Sequence, residues 1–302
     1  MPLDPRFRAL LDALAEAGAT PIVRGTAART REHYRTLAMS RRGPDFVPEP
    51  VATVVDLEID GPGGALRVRI YHPTGDRGRA VTYLHGGGWV LGDLDTHDPV
   101  CRRVANAVGA VVVAVDYRLA PEHPHPAPLH DSLAGLAWTA GRWPERRLGV
   151  AGDSAGASLA AAAALHQRDT GGPLAAQLLF YPATDPSLRS PSVTGNGEGY
   201  FLTRSDMEWF YSQYAPDLTD PSVDLLRADV AGVAPAVVAT AEFDPLRDEG
   251  DAYAGRLSAA GVPVTHLPGP GLIHGYAAFF GVVPAAEERG QQALAAFGDL
   301  LG

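Results

Sequence analysis

Ser154 stands in Gly152-Asp-Ser-Ala-Gly156, between a short apolar run at 148–151 and a stretch of small residues at 155–165. A chain that passes from strand to helix within one residue leaves no space for bulky neighbours. The two glycines and Ala155 remove that bulk. The hydroxyl is then held in a strained turn at the end of a sheet, beside the free N–H groups of a helix that is just starting. This is the setting a serine nucleophile needs. The competing reading is a serine that only caps the helix. A nucleophile also requires a base, an acid behind that base, and donors for an oxyanion. Asp244 lies just past the apolar run 235–241, and His274 lies in the loop after the run 262–267. Asp244 has a plainer role open to it, as the cap of a helix entered through Pro245. Glu242, Asp248 and Glu249 compete for the same task, the last two from positions expected on that helix. His266 is the alternative base, although it falls inside the last strand. His85-Gly-Gly-Gly-Trp89 follows another apolar run, and three glycines let backbone N–H groups approach a substrate together with that of Ala155. A phosphate cradle is the other use of such a loop. It would want a helix directly after it and a Lys or Ser/Thr partner, and 89–93 offers neither.

These residues need a sheet whose strand ends lie together. Apolar runs at 79–84, 110–117, 148–151, 174–181, 235–241 and 262–267 alternate with helical stretches at 96–108, 129–140, 155–165, 247–260 and 285–301. Continuous apolar strands between helices indicate a parallel sheet covered on both faces, hence an α/β fold. A hairpin is expected ahead of it, 51–59 and 65–71 around the turn-rich 60–64. Leu3, Phe7, Leu10, Leu11 and Leu14 recur at helical spacing. After an interruption at Pro21, a second helix is expected over 26–40, ended by Arg41-Arg42-Gly43-Pro44. Residues 182–232 break the alternation with a loop-rich insertion and an aromatic helix at 205–214, at the end of the sheet where ligands bind.

The 302 residues suit one large domain with an accessory part. All 25 basic residues are arginine, and the net charge of −10 argues against nucleic acid or an anionic membrane as partner. No run is long enough to span a membrane. The single cysteine, Cys101, allows no internal disulfide and is expected in the core. With no secretory signal over 1–19, where acidic residues stand at 4, 12 and 16, a cytoplasmic location is expected. His123, His125 and His130 invite a metal reading, but prolines separate them and no carboxylate spacing supports it, so no metal is expected.

The chain resembles the hormone-sensitive-lipase-like branch of the α/β-hydrolases, the bacterial family IV esterases. The resemblance rests on His85-Gly-Gly-Gly-Trp89, Asp116-Tyr-Arg-Leu-Ala-Pro-Glu122, Gly152-Asp-Ser-Ala-Gly156, Asp244-Pro-Leu-Arg-Asp248 and His274-Gly-Tyr276. It covers about 45–302. It implies a mostly parallel sheet of about eight strands with helices on both faces and a helical cap. In that division 1–48 and 185–222 form the cap, and 49–184 with 223–302 the catalytic core. The order Ser154, Asp244, His274 is that of the superfamily. The resemblance implies a carboxylic ester hydrolase acting on short-chain acyl esters through an acyl-enzyme. Ser154 is its nucleophile, His274 its base and acid, Asp244 its orienting acid, and Gly87, Gly88 and Ala155 its oxyanion donors. His85 takes a structural role within its loop. No metal or organic cofactor is needed; the partner is a small-molecule ester, and a homodimer through the last strands is allowed. His125 departs from the apolar or aromatic residue usual at its position. Amide or lactone hydrolysis would use the same machinery. Plant gibberellin receptors resemble the family and bind a small ligand without catalysis, but they lack the catalytic histidine, which here is His274.

Overall fold

The computed structural model describes residues 1–18, 22–40 and 46–302. The interruption at Pro21 and the helix end over 41–44 lie outside them. Two helices open the chain, α1 (Pro5–Glu16) and α2 (Ala27–Ser40). Asp4 caps α1 by accepting the Arg6 N–H at 2.8 Å, and Pro5 takes the first helical position, where its missing N–H costs nothing.

The hairpin follows as β1 (Thr53–Gly61) and β2 (Gly64–His72), with Gly61 opposite Gly64. Its turn is therefore two residues, Pro62 and Gly63, tighter than the five expected. Then come β3 (Arg79–Leu84), α3 (Asp98–Val108), β4 (Ala110–Val115), α4 (Ala127–Arg142), β5 (Arg147–Asp153), α5 (Ala155–Thr170) and β6 (Leu174–Phe180). The insertion holds α6 (Pro191–Asn196) and α7 (Arg204–Tyr214). The chain ends with β7 (Ala236–Ala239), α8 (Arg247–Ala259), β8 (Val264–Leu267), a 3₁₀ turn (Tyr276–Phe279) and α9 (Pro284–Leu300).

The sheet has eight strands in the order β1-β2-β4-β3-β5-β6-β7-β8. β2 runs antiparallel to both β1 and β4, and the pairs from β4 through β8 are parallel. Every residue of β3 and β4 is buried, so helices cover both faces of the centre. Each such Val or Leu contributes about 1.5–3 kcal/mol by leaving water. α3 packs against α9, and α4 against α5. Among the described residues, no helix is long and apolar enough to cross a membrane.

The N-terminal helices and the insertion sit over the strand ends and are tied together. Thr203 and Asp206 form a reciprocal capping box at the start of α7. The buried Asp206 carboxylate also accepts the Val23 N–H at 3.0 Å. On α2, Arg31 donates to the Val90 and Ala120 carbonyls at 2.8 and 2.7 Å and pairs with Glu122. Arg35 of the same helix pairs with Asp93 and Asp95.

Candidate active site

Register brings the site residues to one edge of the sheet. Leu84 lies opposite Gly152, Asp153 opposite Phe180, and Phe180 opposite Ala239. The loops that follow β3, β5, β6 and β7 therefore emerge side by side. A parallel bridge between Phe243 and Ile273 then sets Asp244 beside His274, although thirty residues separate them.

Ser154 occupies the turn between β5 and α5 with φ 54° and ψ −125°, a conformation non-glycine residues rarely adopt. Such a residue stores about 1–3 kcal/mol, which the surrounding structure must hold. Gly156 shows how: a Cβ there would run into the Leu84 carbonyl, so only glycine lets α5 start this close to β3. Ser154 Oγ lies 2.9 Å from His274 Nε2, and His274 Nδ1 lies 2.8 Å from Asp244 Oδ2. The other oxygen of Asp244 accepts the Leu246 N–H at 2.8 Å, in the turn ahead of α8; the helix itself starts at Arg247 with Leu246 as its N-cap and no side chain capping it, so the expected helix-capping role of Asp244 is not what the structure shows. Asp244 is fully buried, His274 is buried, and Ser154 is partly open to the cavity. The Tyr181 ring stands edge-on to His274, 4.8 Å between centroids, and its hydroxyl accepts the Ala277 N–H at 3.3 Å.

The glycine loop lies across from this line. The Gly87 carbonyl accepts from the N–H groups of Val90 and Leu91 at 3.1 and 2.8 Å. Among the described residues, the N–H groups of Gly87, Gly88 and Ala155 make no hydrogen bond within the protein, and all three residues border the cavity that holds Ser154 and His274. A Cβ on Gly88, whose φ is 59°, would fall within the ring of Phe210 on α7. The insertion helix α7 and the glycine loop are thus in direct contact. Trp89 continues it, stacking on Tyr214 with ring centroids 4.4 Å apart.

Beneath the loop is a buried polar cluster. Asp153 Oδ1 accepts the Gly86 N–H at 3.0 Å and the Tyr83 hydroxyl at 2.8 Å, while Oδ2 faces His97 Nε2 at 3.5 Å. Burial pushes the Asp153 carboxyl up, but His97, the Tyr83 hydroxyl and His85 outweigh it and hold the group below its ordinary value. His85 stacks on Tyr117 at 4.2 Å and donates from Nδ1 to the Gly86 carbonyl at 2.9 Å. Burial and the neighbouring His97 lower it to about 4, so it is neutral at pH 7.

The competing residues are drawn elsewhere. Glu242 accepts the Gly271 N–H at 2.8 Å, and Asp248 accepts the Ser192 N–H at 2.8 Å. Glu249 is buried and accepts the Thr184 and Asp185 N–H groups on one oxygen, while the other has no partner. Burial raises its carboxyl well above the ordinary value. His266 lies in β8 and meets Asp251 at 2.9 Å, away from Ser154. Cys101 is buried. Among the described residues, no group of three or more His, Cys, Asp or Glu side chains is placed to hold a metal ion.

Sequence reasoning passed over Asp153, His97 and Tyr181. Asp153 is a variable position inside the serine motif, and its partners His97, Gly86 and Tyr83 are 56, 67 and 70 positions away. It also left open which residues wall the cavity. Ile22, Tyr34, Ala38 and Phe46 come from the N-terminal part and Phe201, Leu202, Met207, Phe210 and Tyr211 from the insertion.

A family profile described as the alpha/beta hydrolase fold matches residues 81–278. The carboxylesterase NlhH of Mycobacterium tuberculosis is 42% identical over 97% of this chain and 95% of its own length. An ethyl acetate hydrolase of Pseudomonas putida is 37% identical over 95% of this chain and 96% of its own. The hyperthermophilic esterase of the archaeon Pyrobaculum calidifontis superposes with a TM-score of 0.90 at 38% identity, covering 99% of both chains. Likeness of this extent, in superposed fold as well as in sequence, makes the chain a member of the α/β-hydrolase family, in its hormone-sensitive-lipase-like, family IV branch, and a serine carboxylesterase.

Proposed function

We propose that this carboxylesterase hydrolyses short-chain acyl esters through an acyl-enzyme on Ser154. One observation carries the reading: the continuous line Ser154–His274–Asp244, at 2.9 and 2.8 Å, set on a strained turn at a largely apolar cavity. As Ser154 Oγ bonds to the acyl carbon, its proton passes to His274 Nε2 and the carbonyl oxygen takes the negative charge. The N–H groups of Gly87, Gly88 and Ala155 receive that charge. The carbon–oxygen bond to the alcohol then breaks, and His274 returns the proton to the leaving oxygen. Water repeats the sequence and frees the acid. Asp244 keeps a proton on Nδ1 and stabilises the imidazolium.

Short acyl chains are favoured by the aromatic residues that line the cavity, Phe201, Phe210 and Tyr211 among them, and by the likeness to an ethyl acetate hydrolase. Residues 1–48 and 185–222 act as a two-part cap that sets this limit. The single, buried cysteine supports a cytoplasmic location. A homodimer would pair along β8, an edge strand of the sheet, which light scattering would test. The deciding assay uses p-nitrophenyl esters of increasing acyl length with the wild type and Ser154→Ala. Rapid release on short chains is expected, with a loss on the order of 10³-fold or more in the variant. Comparable release by Ser154→Ala, or a preference for long chains, would overturn the proposal.

A further inference from the structure

The nucleophile turn and the oxyanion loop meet at one carboxylate. Asp153 precedes Ser154 in the chain and binds the Gly86 N–H at the head of the glycine loop, at 3.0 Å. Its free side faces His97 Nε2 at 3.5 Å, and both side chains are at least nine-tenths buried. His97 is itself fixed. It precedes α3, its carbonyl accepts the Cys101 N–H at 3.0 Å, and its Nδ1 lies 3.0 Å from Thr96 Oγ1. The Thr96 hydroxyl is held in turn by the Asp93 N–H at 2.9 Å. The ring therefore cannot swing away from Asp153 without giving up the Thr96 contact.

We propose that His97 is a positioning residue for ester hydrolysis: by contacting Asp153 it holds the Gly86 amide, and with it the N–H groups of Gly87 and Gly88, in register with Ser154. The inference rests on the oxyanion role assigned above to those glycines. A buried carboxylate deprived of one partner turns toward whatever donor or water remains. Here that movement shifts the loop bonded to it. Oxyanion donors act only when aimed at where the charge develops, so a small shift lowers turnover and leaves substrate binding intact.

The test compares wild type, His97→Leu, His97→Gln, Asp153→Asn and the His97→Leu/Asp153→Asn double variant. Each is assayed on a short p-nitrophenyl ester and for inhibition by a trifluoromethyl ketone and the matching methyl ketone. Ser154 Oγ adds to the activated ketone, its proton passes to His274, and the former carbonyl oxygen becomes an oxyanion. His97→Leu is expected to lower kcat about 10-fold with KM within about twofold, and to weaken the trifluoromethyl ketone by the same factor, but not the methyl ketone. His97→Gln, which keeps a polar amide beside Asp153, should recover to within about threefold of wild type. The double variant should be no worse than Asp153→Asn alone. His97→Phe refills the ring volume and repeats the test should the leucine variant fail to fold. A wild-type preference for the trifluoromethyl ketone that survives unchanged in His97→Leu overturns the inference alone. Equal binding of both ketones by the wild type overturns the oxyanion reading and the inference with it.

Discussion

The chain carries two histidine–aspartate pairs of nearly equal length within a span of thirty residues. His274 meets Asp244 at 2.8 Å, and His266 meets Asp251 at 2.9 Å. The first pair is buried, on loops past the ends of β7 and β8. The second joins the middle of β8 to α8, with side chains 32% and 37% exposed. Distance does not separate them; surroundings do. His274 has a strained serine on its far nitrogen and an apolar cavity around it. Beside His266 the nearby hydroxyl is that of Thr240, which donates to Asp251 rather than facing the ring. An exposed ion pair of this kind contributes about 0–1 kcal/mol and has no reacting atom to serve.

Substitution of the two aspartates is the hardest test of that contrast. Asp244→Asn should lower kcat by 10³-fold or more, on the order seen when a triad histidine loses its orienting acid. Asp251→Asn should leave kcat within about twofold. Steady-state rates on one ester decide it, and a comparable fall in both would break the distinction. A middle-sized effect sharpens the role of surroundings. Gly88→Ala should cost about 10²-fold in kcat/KM if the Gly88 N–H receives the oxyanion as proposed, because that donor is displaced. Adding Phe210→Ala should recover part of that loss, since the ring is what the new Cβ meets. Failure of the second substitution to help would mean that backbone strain at φ 59° accounts for the whole effect.

The smallest effect concerns a third carboxylate from the same stretch. Burial raises the Glu249 carboxyl well above its ordinary value, which favours its protonated form in the folded state. The native state then keeps a proton that the unfolded chain releases above about pH 4.3, so stability is full below that pH and falls as pH rises toward the folded value. Glu249→Gln keeps an acceptor for the Thr184 and Asp185 N–H groups and has no proton to lose. Its melting temperature should gain on the wild type between pH 5 and 8, by a few degrees at most. A difference that stays constant across that range would remove the protonated state of Glu249 from the account.

The alternation of strands and helices was legible because β3, β4 and β6 are apolar almost throughout, as strands covered on both faces must be. Asp244 and His274 were legible as candidates because each follows an apolar run, and the structure brings both to Ser154. The short α6 was not, since Pro191–Asn196 has too few residues to display a period. The strand expected over 235–241 shrinks to Ala236–Ala239, because the chain leaves the ladder to carry Asp244 toward His274. The pairing of His97 with Asp153 left no local trace. It depends on which loops the sheet order sets side by side, and β3 lies between β4 and β5 in space but ahead of both in the chain.

The attachment of α2 bears on how such a protein changes over generations. Arg31 grips the carbonyls of Val90 and Ala120, groups present whatever side chains those positions carry. That part of the anchoring is indifferent to side-chain changes at 90 and 120, whereas the pairs with Glu122, Asp93 and Asp95 depend on theirs. Tyr34 and Ala38, on the same helix, line the cavity. A substitution at either position would change what the cavity admits while the grip of Arg31 on the backbone stays as it is.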